Sequence, residues 1–249
     1  MGDLLNLTGM VLSAIPMGDF DKRVVVLTKE RGKIHAFAKG ARRQNSSLLA
    51  AANPFCFGTF SFYEGRSSYT LVQAEVKSYF RELSQDVEGA YYGFYFMEFA
   101  DCYARENNDE VELLKLLYAS MRALANPHLD RELVRRVFEL KAMVVNGEYP
   151  EVFSCAECQS REELSAFTLA RNGLLCSRCA PKYMGAVPLL ESAVYALQYV
   201  VSTPVEKLYT FTLSEEVMGQ FAQVVERFRK KYIEKEFKTL DILQSILNY

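Results

Sequence analysis

The apolar positions of this chain change their period near residue 80. Before that point they come in short runs broken by turn signals, over residues 5–15, 23–28, 33–39, 55–63 and 69–76, the spacing of a small all-β unit. Lys29-Glu30-Arg31-Gly32 and Glu64-Gly65-Arg66-Ser67-Ser68 read as hairpin connections, each polar and each holding a glycine able to take a positive φ. Between the third and fourth runs, Ser46-Ser47-Leu48-Leu49-Ala50-Ala51-Ala52 predicts a short helix behind a serine cap and ahead of Asn53-Pro54. The order βββ, short helix, ββ describes an OB barrel, with an SH3-like barrel as the alternative at this level.

After Tyr79, Val87, Tyr91, Phe94, Tyr95, Glu98 and Cys102 follow one another at three- and four-residue steps, which predicts a helix. Further helices are expected over 111–125, ended by Asn126-Pro127, and over 130–146, capped by Asp130 and stopped at Gly147. Helices resume at Leu189, where Thr203-Pro204-Val205-Glu206 combines a cap, a proline at the first helical position and a glutamate at the third. Another begins behind Ser214 and runs to about residue 232, and a short one spans 240–247. The expected architecture is α+β and multi-domain. An OB-fold covers 1–80, a helical domain 81–150 and again 186–249, and a four-cysteine element 151–185 is embedded between the two helical parts.

Composition adds bounds to this outline. At 249 residues, half of them hydrophobic and 24% charged, the chain has the balance of a globular protein with a sizeable core. The opening residues show no basic leader followed by an apolar run, and no stretch approaches 18 uninterrupted apolar residues, so a cytoplasmic location without membrane contact is expected.

Four of the six cysteines form two pairs, Cys155-x-x-Cys158 and Cys176-x-x-Cys179, separated by 17 residues. That spacing suits two thiolate knuckles closing a tetrahedron around one structural zinc ion. Arg161, Arg171, Arg178 and Lys182 lie near enough in sequence to offset the charge of four thiolates. Four protein ligands leave no open coordination position, which argues against a zinc-dependent hydrolase. A redox pair of C-x-x-C motifs would need a βαβ setting that this segment lacks. Cys56 and Cys102 sit in apolar contexts and read as core residues.

The net charge of −2 hides an uneven distribution. Residues 1–80 hold ten Lys or Arg against six Asp or Glu, a local +4, and eight of those cations lie between Asp19 and Arg43. Lys22, Arg23, Lys29, Arg31, Lys33, Lys39, Arg42 and Arg43 are therefore the candidate nucleic-acid-binding residues, gathered mostly by loops along a groove where they would contact phosphates. A solvated basic edge guarding the strands is the competing reading. Lys39-Gly40-Ala41-Arg42-Arg43 tilts the balance, because three cations share one loop with no acid among them. Phe37, Phe57, Phe60, Phe62, Tyr63 and Tyr69 offer faces for base stacking, although alternate aromatics in a small barrel mainly fill its interior. Only two histidines occur, His35 and His128, and neither has a neighbouring nucleophile. No phosphate-cradling G-x-x-x-x-G-K-[ST] loop is present either, so no enzyme activity is expected.

Several of these stretches together resemble the bacterial RecO recombination mediators of DNA repair. They are Leu27-Thr28-Lys29-Glu30-Arg31-Gly32-Lys33-Ile34 running into Phe37-Ala38-Lys39-Gly40-Ala41-Arg42-Arg43, then Phe138-Glu139-Leu140-Lys141, then the two cysteine pairs. The resemblance spans the chain and implies an N-terminal OB domain, a helical body and a zinc element. It also implies binding of single- and double-stranded DNA, annealing of complementary strands, work with RecR, and help to RecA in displacing single-stranded-DNA-binding protein. The family's basic OB surface matches Lys29, Arg31, Lys33, Lys39, Arg42 and Arg43, and its zinc pattern matches the four cysteines. The turn Gly18-Asp19-Phe20-Asp21 departs from the family pattern, so Lys22 and Arg23 rest on the residues alone.

Overall fold

The computed structural model describes residues 3–66 and 68–247. They form two compact units, one of Met1–Ala125 with Phe237–Tyr249 and one of Asn126–Glu236.

The first unit begins with five strands, β1 (Leu4–Met17), β2 (Asp21–Thr28), β3 (Gly32–Ala38), β4 (Phe57–Glu64) and β5 (Tyr69–Ser78). They close into a barrel in the order β1-β2-β3-β5-β4, the OB-like arrangement. The long β1 serves two partners. Leu4 to Met10 pair with β4, and Gly9 to Met17 pair with β2, with a bulge between Val11 and Ser13 where the strand bends from one to the other. Closure is completed by a short parallel contact of β3 with β5.

Alternation fills the interior. Val24 and Val26 of β2, Ile34, Ala36 and Ala38 of β3, and Phe60 and Phe62 of β4 all point into one buried cluster. Helix α1 (Leu48–Ala51) adds Leu48 to that cluster. It is a single turn behind the predicted serine cap and ends one residue before Ala52. Asn53 explains the early stop, since its side-chain amide donates to the carbonyls of Leu49 and Ala50 and so closes the helix end ahead of Pro54.

Part of the outer barrel surface is buried as well. Met10 and Leu12 of β1 and Val25 and Leu27 of β2 face away from the interior yet are buried, because α3 (Val87–Tyr103) packs on β1 and α4 (Val111–Leu124) on β2. A short α2 (Arg81–Ser84) leads into α3. Gly32, at the β2–β3 turn, is docked onto the segment after α3. Its φ is +63°, and a Cβ there would stand 2.3 Å from the carbonyl oxygen of Arg105, so both conformation and space require glycine. After residue 236 the chain returns to this unit. Phe237 stacks on Phe99 with ring centroids 5.3 Å apart, and α8 (Lys238–Leu247) packs along α3.

The second unit is built on α5 (Arg131–Val145), α6 (Glu191–Ser202) and α7 (Glu215–Tyr232), with a small sheet of β6 (Leu164–Thr168), β7 (Gly173–Cys176) and β8 (Val187–Pro188) in the order β7-β6-β8. Asp130 caps α5 as predicted, accepting from the Leu133 N–H at 2.8 Å. The Thr203–Glu206 signature does not start an α-helix. Thr203 and Pro204 are extended and only a 3₁₀ turn, Val205–Lys207, follows. Val205 and Leu208 are buried there at a three-residue step, and no apolar stripe continues beyond them to repay a longer helix.

Phe138-Glu139-Leu140-Lys141 lies on α5, and each residue has a distinct task. Phe138 and Leu140 are core, Lys141 donates to the carbonyls of Val201 (3.1 Å) and Thr203 (2.7 Å) at the end of α6, and Glu139 is wholly buried. Glu139 accepts from Arg135 at 3.2 Å and from Arg136 at 3.1 Å, and Arg136 reaches Glu226 on α7 at 2.6 Å. Glu226 in turn accepts from Arg229 at 2.7 Å. Burial alone would raise the Glu226 pKa, but the two guanidiniums outweigh it and hold the carboxyl down at about 2. A depressed acid of this kind contributes stability that is complete above the ordinary carboxylate range, about 4.3, and is lost as pH falls towards 2. Glu226→Gln should therefore destabilise the protein by about 1–3 kcal/mol at neutral pH, with the difference from wild type shrinking below about pH 4 in urea titrations.

Candidate nucleic-acid interface and metal centre

The four cysteines come together. Cys155 and Cys158 lie on a turn tied by Cys155 N–H to Ser160 (2.7 Å) and Gln159 N–H to Cys155 (2.8 Å), while Cys176 ends β7 and Cys179 precedes a 3₁₀ turn, Ala180–Lys182. The Ala156 N–H donates to the Leu174 carbonyl at 2.8 Å, which ties the first knuckle to β7 and so to the second. All four sulfurs lie within 4.8 Å of one another, and Cys158 and Cys176 are 3.7 Å apart. A tetrahedron with metal–sulfur bonds of about 2.3 Å has edges of about 3.8 Å, so the spacing fits one shared metal ion, whereas a disulfide needs about 2.05 Å.

The electrostatics of the four sulfurs suit a shared cation. Burial disfavours the Cys155 thiolate, yet N–H groups of Cys158, Cys176 and Glu157 donate to it and bring its pKa down to about 6. Burial and the surrounding sulfurs push Cys179 the other way, to about 12. Four thiolates so close cannot coexist without a positive ion among them. Arg171, expected to offset that charge, is instead held by Glu157 at 2.9 Å and by the Tyr183 hydroxyl at 2.9 Å. Cys56 is buried in the barrel cluster and Cys102 is half-buried on α3.

The eight candidate cations do not form one patch. Register pairs Lys22 with Ala38 at one end of the β2–β3 hairpin and Thr28 with Gly32 at the other, roughly 20 Å away at about 3.3 Å per residue. At the far end Lys33 is committed to α3, with its ammonium 2.8 Å from the Asp101 carbonyl oxygen and 3.2 Å from its carboxylate. Arg31 stands 4.0 Å from Glu64, and His35 is 3.9 Å from Glu106. Lys29 is exposed there, next in sequence to Glu30. This end is mixed in charge.

The near end is different. Arg23, Lys39, Arg42 and Arg43 are all exposed, and the 39–43 loop is fastened to the β1–β2 turn. Arg42 N–H donates to the Phe20 carbonyl at 2.8 Å, its guanidinium reaches the Gly18 carbonyl at 3.0 Å, and Gly40 N–H meets the Asp21 carboxylate at 2.7 Å with φ of +67°. Lys22 does not join them. Its ammonium, depressed by burial and by Arg42, donates to Asn53 at 2.6 Å and to the Ala52 carbonyl at 3.2 Å, bracing the end of α1.

Of the barrel aromatics, Phe60 and Phe62 are fully buried, Phe37, Phe57 and Tyr69 are half-buried, and Tyr63 is exposed at the rim. The aromatic that sequence reasoning missed is Phe20. It stands at the tip of the β1–β2 turn, 50% exposed, with the Arg43 guanidinium 5.0 Å from its ring centroid. The available signal was an aromatic set between two aspartates in an otherwise polar turn.

No described helix is long and apolar enough to cross a membrane. Two sequence-family models match the chain, that of the recombination protein O N-terminal region over residues 1–80 and that of the recombination protein O C-terminal region over residues 84–241. The DNA repair protein RecO of Acetivibrio thermocellus is 30% identical over 243 residues, covering 97% of both chains. That of Alkaliphilus metalliredigens is 29% identical over 98% of this chain and 100% of its own, and that of Bacillus subtilis 28% identical over 92% and 89%. With its barrel, its helices and its four-cysteine cluster all inside these matches, the chain belongs to the RecO family of recombination proteins.

Proposed function

We propose that this protein is a DNA repair and recombination mediator that binds single- and double-stranded DNA and anneals complementary strands. It works with RecR, and it helps load RecA onto DNA coated by single-stranded-DNA-binding protein. Its action is binding rather than bond breaking. The observation that supports DNA contact most directly is the near end of the barrel, where Arg23 is exposed on β2 and Lys39, Arg42 and Arg43 are exposed on a loop held by hydrogen bonds to the β1–β2 turn. Loops flanking the β2–β3 face are where OB barrels hold oligonucleotides, and fixed cations there release counterions from phosphates without first having to be ordered. A surface that neutralises two strands at once also lowers the repulsion between them, which favours annealing.

Lys29 and Arg31 play the smaller part in this reading, since they sit at the end of mixed charge, where Arg31 faces Glu64, and Lys22 and Lys33 act as structural braces. The proposed metal is a single Zn²⁺ held by Cys155, Cys158, Cys176 and Cys179, whose sulfur set and spacing suit it. Its contribution is to fold the 151–186 segment, not to activate water, because four protein ligands fill its coordination.

Arg42→Ala with Arg43→Ala should weaken oligonucleotide binding and reduce the slope of log affinity against log salt by about 1.4 on single strands, at about 0.7 per phosphate contact. Annealing should fall in parallel, both on bare strands and on strands coated by the single-strand binder. Lys29→Ala should change both quantities less. Unaltered affinity and slope in the double variant would overturn the assignment to this end of the barrel, and failure of the wild type to anneal coated strands would overturn the mediator role.

Purified protein should hold about one equivalent of zinc, released by chelators or by acid as protons compete for the thiolates. Cys176→Ser should lower the metal content and the melting temperature while leaving oligonucleotide affinity within about twofold, the comparison being made well below the melting transition.

A further inference from the structure

Phe20 places an apolar ring at a turn that leaves much of it uncovered. Burying such a side chain is worth about 1.5–3 kcal/mol, yet half of its surface is left in solvent at the tip of the β1–β2 turn. A single exposed phenylalanine is unremarkable in itself. This one is held in position from four directions. The Arg42 N–H binds the Phe20 carbonyl at 2.8 Å, the Arg42 guanidinium binds the Gly18 carbonyl at 3.0 Å, Asp21 accepts from Gly40 at 2.7 Å, and the Arg43 guanidinium lies 5.0 Å from the ring centroid. A ring that merely happened to be exposed would not need its turn locked to the next loop.

We propose that Phe20, with Arg43 packed against it, is a stacking platform for an unpaired base, and that it makes the near end of the barrel selective for single-stranded over double-stranded DNA. This rests on the reading of that end as the DNA-binding surface and adds the chemical class it prefers. A base enclosed in a duplex has both faces covered by its neighbours and must be unstacked to reach Phe20, whereas a base in a single strand offers a face freely. Arg42, Arg43 and Lys39 attract the phosphates of either form, those of the denser duplex somewhat more strongly. The ring is what favours the single strand. Asp19 and Asp21 flank Phe20 in sequence; Asp19 is exposed, and Asp21 keeps its negative charge while accepting from Gly40, so both carboxylates oppose phosphates at this turn. Their repulsion acts on phosphates and leaves stacking unaffected.

The test separates stacking from charge. Affinities of wild type, Phe20→Ala, Phe20→Trp and the Arg42→Ala, Arg43→Ala double variant are measured by anisotropy on oligo-dT, on an abasic oligomer of the same length and on a closed hairpin duplex, each over a salt series. Phe20→Ala should lose about tenfold or more on oligo-dT with an unchanged salt slope, lose less than about twofold on the duplex, and show the same weak affinity for oligo-dT as for the abasic strand. Phe20→Trp should restore or exceed wild-type binding to oligo-dT. Equal losses on oligo-dT and duplex, a changed salt slope, or no loss at all would each overturn the platform. If the arginine variant alone leaves affinity and slope untouched, the DNA-binding reading of this end fails, a result distinguishable from any outcome at Phe20.

Discussion

The first unit depends on one strand having two partners. β1 is long enough, and bent enough at its Val11–Ser13 bulge, to pair with β4 along its first half and with β2 along its second. That shared strand turns five strands into a closed barrel and leaves no free edge between β4 and β2. It also fixes where the β1–β2 turn emerges. Because β2 pairs with β3 from Lys22↔Ala38 to Thr28↔Gly32, the turn and the 39–43 loop are forced to the same end, and the β2–β3 turn to the other. The separation of the basic residues into two groups follows from strand register and from nothing in their chemistry.

The two ends then diverge through what packs against them. At the β2–β3 turn, Gly32 admits the Arg105 carbonyl and Lys33 reaches the Asp101 carbonyl, so cations there are spent on joining barrel to helix. At the β1–β2 turn the corresponding hydrogen bonds use backbone groups, the Asp21 carboxylate and the Arg42 guanidinium, and Arg23, Lys39 and Arg43 stay exposed to solvent. A comparable division holds in the second unit. Buried Glu139 is tolerated because two arginines satisfy it, and those arginines are held by Glu132 and Glu226 in turn. Each member has more than one opposite charge beside it, and the buried charges must be desolvated to meet, so the network orients α5 and α7 more than it adds net stability.

Much of this could be read from residue order. Strand alternation, the break in period after Tyr79 and the double C-x-x-C spacing are local signals, and local signals survive folding. What the sequence could not convey was which carbonyl or carboxylate would meet each cation. Lys22 and Lys33 look as available as Lys39 until Asn53 and Asp101, far along the chain, are brought beside them. The Thr203–Glu206 capping signature was misleading because a cap lowers the cost of starting a helix but cannot supply the buried face that maintains one. Phe20 was overlooked for the opposite reason, since exposure is a tertiary property and an isolated aromatic in a turn gives no periodic sign of it.

The placement of Phe237 against Tyr95 and Phe99 bears on how the protein is made. Synthesis proceeds from the N-terminus, and domains generally fold as units as they emerge. Here the first unit cannot be completed in that order, because α8 is translated after all of residues 126–236. Until then, the α3 surface around Phe99 stays uncovered on the nascent chain. The interval spent making the second unit is therefore the time during which the first is most open to chaperones and to aggregation.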